Sequence, residues 1–167
     1  MGPGREHWMP KLTQDMKQVL KRQPVVLVAT SDDRRLPNVS PRGIIKVVDD
    51  DKLVFASLFS VKTEANLSAN PNMAVAAVDL QSYKGYQFKG RAELIHDGPL
   101  FDEVVGLLER GQKGQRPMEL WFEKVARELV AALAQVGRPG VRPRNAIVLH
   151  VEEIWNLAPG REDEVWR

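Results

Sequence analysis

The spacing of apolar and polar residues changes several times along the chain, and each change marks an element. Within residues 11–22, Leu12, Met16, Val19 and Leu20 recur at helical spacing behind Thr13 as a capping hydroxyl. That pattern predicts a short amphipathic helix, which Pro24 terminates. Residues 25–30 (VVLVAT) form a β-branched run suited to a buried strand. After the polar turn 31–35, residues 36–43 carry Pro37 and Pro41, which keep the backbone extended but remove two ladder donors. An irregular strand near an edge is expected there. Residues 44–48 and 53–58 flank Asp49-Asp50-Asp51-Lys52, a strand, acidic turn and strand. The three aspartates lack the alternating oxygen ligands and distal Glu of a calcium loop, so they read as a solvated turn.

Residues 63–70 predict one or two turns of helix, with Thr63 as the cap and Pro71 as the stop. A strand over 73–80 and a long strand over 86–95 follow. In the latter Lys89, Arg91 and Glu93 share one face, opposite Phe88, Ala92 and Leu94. Phe101, Val104, Val105 and Leu108 then make a helical stripe. Residues 111–117 read as a flexible break, 118–136 as the strongest helix, 138–144 as a basic connector and 146–154 as the last strand. The tail from Asn156 is expected to wrap or fray. About six strands lie too close together for repeated crossovers, so the fold class is mainly β with helices (α+β), a small antiparallel barrel with flanking helices. One domain is expected over 1–167, with a helical insertion at about 111–145.

Composition narrows the chemistry. A chain of 167 residues can bury a core of its own, removing roughly two-thirds of its unfolded surface from water. Cysteine is absent, which excludes a thiolate nucleophile, a zinc ribbon, an iron–sulfur cluster and a redox dithiol, so redox chemistry needs a bound cofactor. Lys plus Arg (24) barely exceeds Asp plus Glu (22), too small a surplus for a nucleic-acid field. No apolar run approaches a membrane span, and the start lacks the apolar core of a signal peptide, so a cytoplasmic location is expected.

Dinucleotide, P-loop, zincin and nucleophile-elbow signatures are all missing, and His7, His96 and His150 lie on separate elements. The informative stretch is Phe59-Ser60-Val61-Lys62-Thr63-Glu64-Ala65-Asn66, where a strand hands over to a helix. Ser60, Lys62 and Thr63 there gather hydroxyls and a cation beside backbone N–H groups that favour an anion such as a phosphate monoester. A helix cap accounts for these residues equally well. What favours a ligand is Asn38-Val39-Ser40-Pro41-Arg42-Gly43, whose prolines leave extended backbone able to hydrogen-bond the polar edge of a flat heterocycle.

Taken in order, VVLVATS, PNVSPRG, IIKVVDDDKLVFASL, VKTEANLSANPNMAV, YQFKGRAEL and HDGPLFDEV resemble the FMN-binding split-barrel superfamily. That group contains pyridoxamine 5′-phosphate oxidase and the small bacterial FMN-binding proteins. The resemblance implies a split antiparallel β-barrel and a homodimer with FMN at the subunit interface. It would set Val39, Ser40 and Pro41 along the isoalloxazine ring, Ser57 and Leu58 near its polar edge, and Ser60, Lys62 and Thr63 on the phosphate. Lys46 is a further candidate, and Tyr83, Tyr86 or Trp155 would wall the ring.

The implied function is electron or hydride transfer through noncovalent FMN to or from a small-molecule or protein redox partner, with no metal and no named catalytic acid or base. Alternatives are a storage or sensing module without turnover, and a deazaflavin- or haem-binding relative. The oxidases' C-terminal Arg-x-His has its only counterpart at Arg5 to His7, at the opposite end, which argues against vitamin B6 oxidation.

Overall fold

The computed structural model describes residues 10–23, 25–58, 60–112 and 142–167. The helix expected over 118–136, and with it the bulk of the expected insertion, lies outside the described residues, as do His7 and most of the basic connector. The elements run α1 (Gln14–Arg22), β1 (Val26–Ser31), β2 (Pro37–Arg42), β3 (Ile44–Val48), β4 (Lys52–Ser57) and α2 (Val61–Ala69). They continue with β5 (Asn72–Asp79), β6 (Lys84–Ile95), α3 (Pro99–Gln112), β7 (Asn145–Asn156) and β8 (Val165–Trp166).

All strand pairs are antiparallel, and the sheet order is β2-β1-β5-β6-β7-β4-β3, with β8 also paired to β7. The two ends of this order, β2 and β3, are consecutive in sequence and separated only by Gly43. The sheet therefore curls until its edges meet at Arg42-Gly43-Ile44, joined by the chain itself. This is a split barrel, with more strands than the six or so expected. The extra pairing comes from the tail: Val165 and Trp166 lie against Trp155 and Ile154, on the stretch of β7 beyond its pairing with β4. The tail does not fray there.

Period-two alternation sorts the strands' side chains between two clusters. Inside the curl, Val26, Val28, Leu53, Phe55, Val75, Phe88, Ile147 and Leu149 pack with Leu12, Met16, Val19 and Leu20 of the α1 segment. On the opposite face, Ile45, Val54, Ala146 and Val148 are covered by Phe101, Val104, Val105 and Leu108 of α3. Burying side chains of this size contributes roughly 1.5–3 kcal/mol each, which makes these two layers the main source of stability.

Local signals set the ends of α1 and of the acidic turn. Thr13 caps α1, its hydroxyl accepting from the Met16 N–H at 3.3 Å. Asp49 and Asp50 both take positive φ, and the Asp51 N–H donates to the Val48 carbonyl, a primed turn within the three-residue link between β3 and β4. Asp50 also anchors α1, accepting from the Leu12 N–H and pairing with Lys17 at 2.5 Å. Among the described residues no acidic or histidine cluster could hold a metal ion, and no helix is long and apolar enough to cross a membrane.

Candidate functional site

Helix α2 closes one end of the curl through a polar seam against β2. The inward positions of β2 are Asn38, Ser40 and Arg42, paired in register with Thr30, Val28 and Val26 of β1. Ser40 and Arg42 bond to Thr63 and to the N-cap Ser60, while Asn38 shares an acceptor with Asn66, so the partners step back three positions each time along the α2 segment. The Asn38 and Asn66 amides both donate to the Thr30 hydroxyl, at 3.4 and 3.0 Å. Ser40 and Thr63 share a hydroxyl hydrogen bond of 3.3 Å, and Arg42 donates to the Ser60 hydroxyl. Strand period two and helix period three thus run in opposite directions along one interface.

This seam corrects the expected helix start. Ser60, not Thr63, is the N-cap, and its side chain makes no capping hydrogen bond because it serves Arg42 instead. Thr63 lies inside the helix, 2% exposed, drawn onto Ser40. The opening N–H groups of α2 therefore lack a side-chain cap, and by helix geometry they have no intrahelical acceptor. Helix geometry concentrates partial positive charge at this terminus.

Charged groups ring this terminus. Burial lowers the pKa of the Arg42 guanidinium, an effect partly offset by the nearby negative charge of Glu64. Arg42 Nε is buried without a hydrogen-bond partner, as is Oδ1 of Asn145, which stands opposite Ser57 in the β4–β7 ladder. Glu64, in the first turn of α2, accepts the hydroxyl hydrogen of the fully buried Ser57 at 2.5 Å. Lys62 extends outward, its side chain 59% exposed, and approaches Asp32 at 3.5 Å. The Leu36 N–H, and then Lys62 and Arg34, hold the Asp32 carboxyl below its ordinary range against the opposing effect of burial.

The other residues singled out from the sequence fall in distinct places. Val39 and Pro41 point to the opposite face of β2 from Ser40 and are exposed, Val39 at 60%. Leu58 packs at the margin of the α3 cluster. Lys46 is paired with Glu103 of α3 at 2.7 Å. Tyr86 is buried with its hydroxyl donating to Asp15, Tyr83 is exposed, and Trp155 is flanked by Lys89 and Arg167 at 4.9 and 5.8 Å. Arg42 and Glu64 were not singled out as ligand-site residues, although Arg42 sits two positions beyond Ser40 and so shares its face.

A curled antiparallel sheet closed by the chain at one seam and stoppered there by a short helix defines the split-barrel class. The family model described as pyridoxamine 5′-phosphate oxidase matches residues 12–158, and the chain belongs to that family. An uncharacterized protein of Methanocaldococcus jannaschii is 30% identical over 152 residues, covering 90% of this chain and 83% of that one. HupZ of Group A Streptococcus superposes with a TM-score of 0.67 at 25% identity, covering 92% of this chain and 99% of that one. Two more distant structures share the fold alone. An FMN-binding protein of Syntrophomonas wolfei has a TM-score of 0.59 at 13% identity, with 83% and 80% coverage. HutZ, the haem storage protein of Vibrio cholerae, has a TM-score of 0.53 at 15% identity, with 93% and 94% coverage.

Proposed function

We propose that this chain is a flavoprotein that holds FMN noncovalently and passes electrons or hydride between it and a small-molecule or protein partner. The observation that carries this reading is the uncapped start of α2 with Arg42 and Lys62 beside it. A phosphate monoester matches that chemistry: it accepts hydrogen bonds from backbone N–H groups and pairs with a guanidinium. The buried, unpartnered Nε of Arg42 is a donor such an anion would use. Because the Ser60 and Thr63 hydroxyls are already engaged, their part is to hold Arg42 and β2 in position. The redox chemistry belongs to FMN when bound, and the chain orients it and shields it from water.

A homodimer with the flavin between subunits completes the reading. Its support is the open face that carries Leu27, Val39 and Pro41, with Ala74 and Ala76 beside them in register on β5. A second copy laid on that face would cover these side chains and wall a flat ring lying along Val39 and Pro41. A haem reading has the likeness to HutZ behind it. Of the two histidines among the described residues, His150 faces Glu93 at 3.4 Å and His96 is exposed just beyond β6.

The test is the absorption spectrum of the protein as purified, followed by titration with FMN, riboflavin and haemin. We expect a flavin spectrum with one FMN released per chain. Arg42→Ala should weaken FMN at least tenfold and riboflavin less than threefold, since only FMN carries the phosphate. Colourless protein that ignores FMN, or one that develops a haem spectrum only, overturns the reading.

A further inference from the structure

The anion site contains anions of its own. Lys62 is accompanied by Asp32 at 3.5 Å, and the first turn of α2 carries Glu64, whose charge is felt at Arg42. The Glu64 carboxylate does not swing out to solvent: Ser57, completely buried at the end of β4, holds it at 2.5 Å. An acidic side chain in a first helical turn draws on the same positive field that an incoming anion would use. Two cations and two carboxylates therefore cancel before any ligand arrives.

We infer that Glu64 is an internal counter-anion that offsets Arg42 and the start of α2, so that a bound phosphate monoester stays exchangeable and is not locked in. The inference rests on the phosphate reading above and deepens it, naming the residue that sets affinity at that site. Asp32 acts in the same sense on Lys62 with less effect, because Lys62 is exposed and water and salt screen the pair. Ser57 is the positioning group: it fixes the carboxylate within reach of the guanidinium's charge without direct pairing.

The experiment measures dissociation constants for inorganic phosphate, FMN and riboflavin in the wild type, Glu64→Gln, Glu64→Ala and Asp32→Asn. Gln keeps an oxygen for the Ser57 hydroxyl, so the barrel end stays satisfied. The expected result is about tenfold tighter phosphate and FMN in both Glu64 variants, a smaller gain in Asp32→Asn, and riboflavin unchanged within twofold. Phosphate and FMN affinities that are equal or weaker in both Glu64 variants, with thermal midpoint and riboflavin affinity intact, overturn the inference and leave Glu64 a structural stopper. A wild type that binds phosphate but not FMN refutes the flavin reading while the phosphate comparison still decides the role of Glu64. Binding of neither overturns both.

Discussion

Tyr86 and Asp15 bind α1 to the barrel through one short contact. The Tyr86 hydroxyl donates to Asp15 at 2.6 Å, and Lys84 pairs with the other carboxylate oxygen. Hydrogen bonds from Lys84 and then Tyr86 depress the Asp15 pKa, whereas burial first and the Asp15 hydrogen bond second push the Tyr86 phenol up to about 12. A raised phenol contributes stability fully below its unfolded pKa near 10 and loses it as pH climbs toward 12. The depressed carboxyl contributes above about 3.8 and loses it as acid titrates the folded form. The thermal midpoint should therefore fall between pH 10 and 12, and Tyr86→Phe should flatten that fall; an unchanged alkaline slope in the variant would refute the assignment. None of this pairing was legible from the sequence, because Asp15 and Tyr86 lie 71 positions apart. The Thr13 cap, by contrast, was legible, since its partner is three residues away.

At the scale of elements, the strand boundaries followed apolar runs closely because each strand buries one face against a cluster that demands alternation. The start of α2 did not. Ser60 and Thr63 both suit a cap, and the choice between them was made by Arg42 and Ser40 from a different strand, information no local window holds. The seam also rests on Asn66, almost fully buried with its amide on Thr30. Asn66→Ala should cost about 1–3 kcal/mol in urea unfolding, because the buried Thr30 hydroxyl loses one of its two amide donors. Gly90 marks another long-range constraint. At the register shift between β6 and β7, an added Cβ would lie 1.8 Å from the His150 carbonyl oxygen. Gly90→Ala should lower the thermal midpoint by more than any exposed alanine substitution on β6, and a neutral result would mean that the two strands separate freely there.

For the molecule as a whole, an antiparallel barrel was readable from strand spacing, and the family from the order of its segments; the expected meander was not met, because β1 pairs with β5 and β4 with β7 across long stretches of sequence. The sequence did not separate the inner from the outer side of β2. Ser40 and Arg42 turn in toward α2, while Val39 and Pro41 turn out onto the open face. The ring contacts expected of Val39, Ser40 and Pro41 along one strand are thus divided between opposite surfaces. Leu27 is 54% exposed in the single chain, so Leu27→Asp should leave the fold intact while halving the mass measured by light scattering. A monomeric wild type would remove the dimer from the proposal.

The closure at Gly43 carries one more consequence. Its neighbours Arg42 and Ile44 end two strands on opposite borders of the sheet, and among the described residues β2 pairs only with β1 and β3 only with β4. The cylinder is therefore fastened at that border by a single backbone link and by whatever grips Arg42, much as a clasp holds an open ring. A guest seated on that guanidinium would serve as a rivet, slowing amide exchange along both borders together while leaving the paired interior untouched.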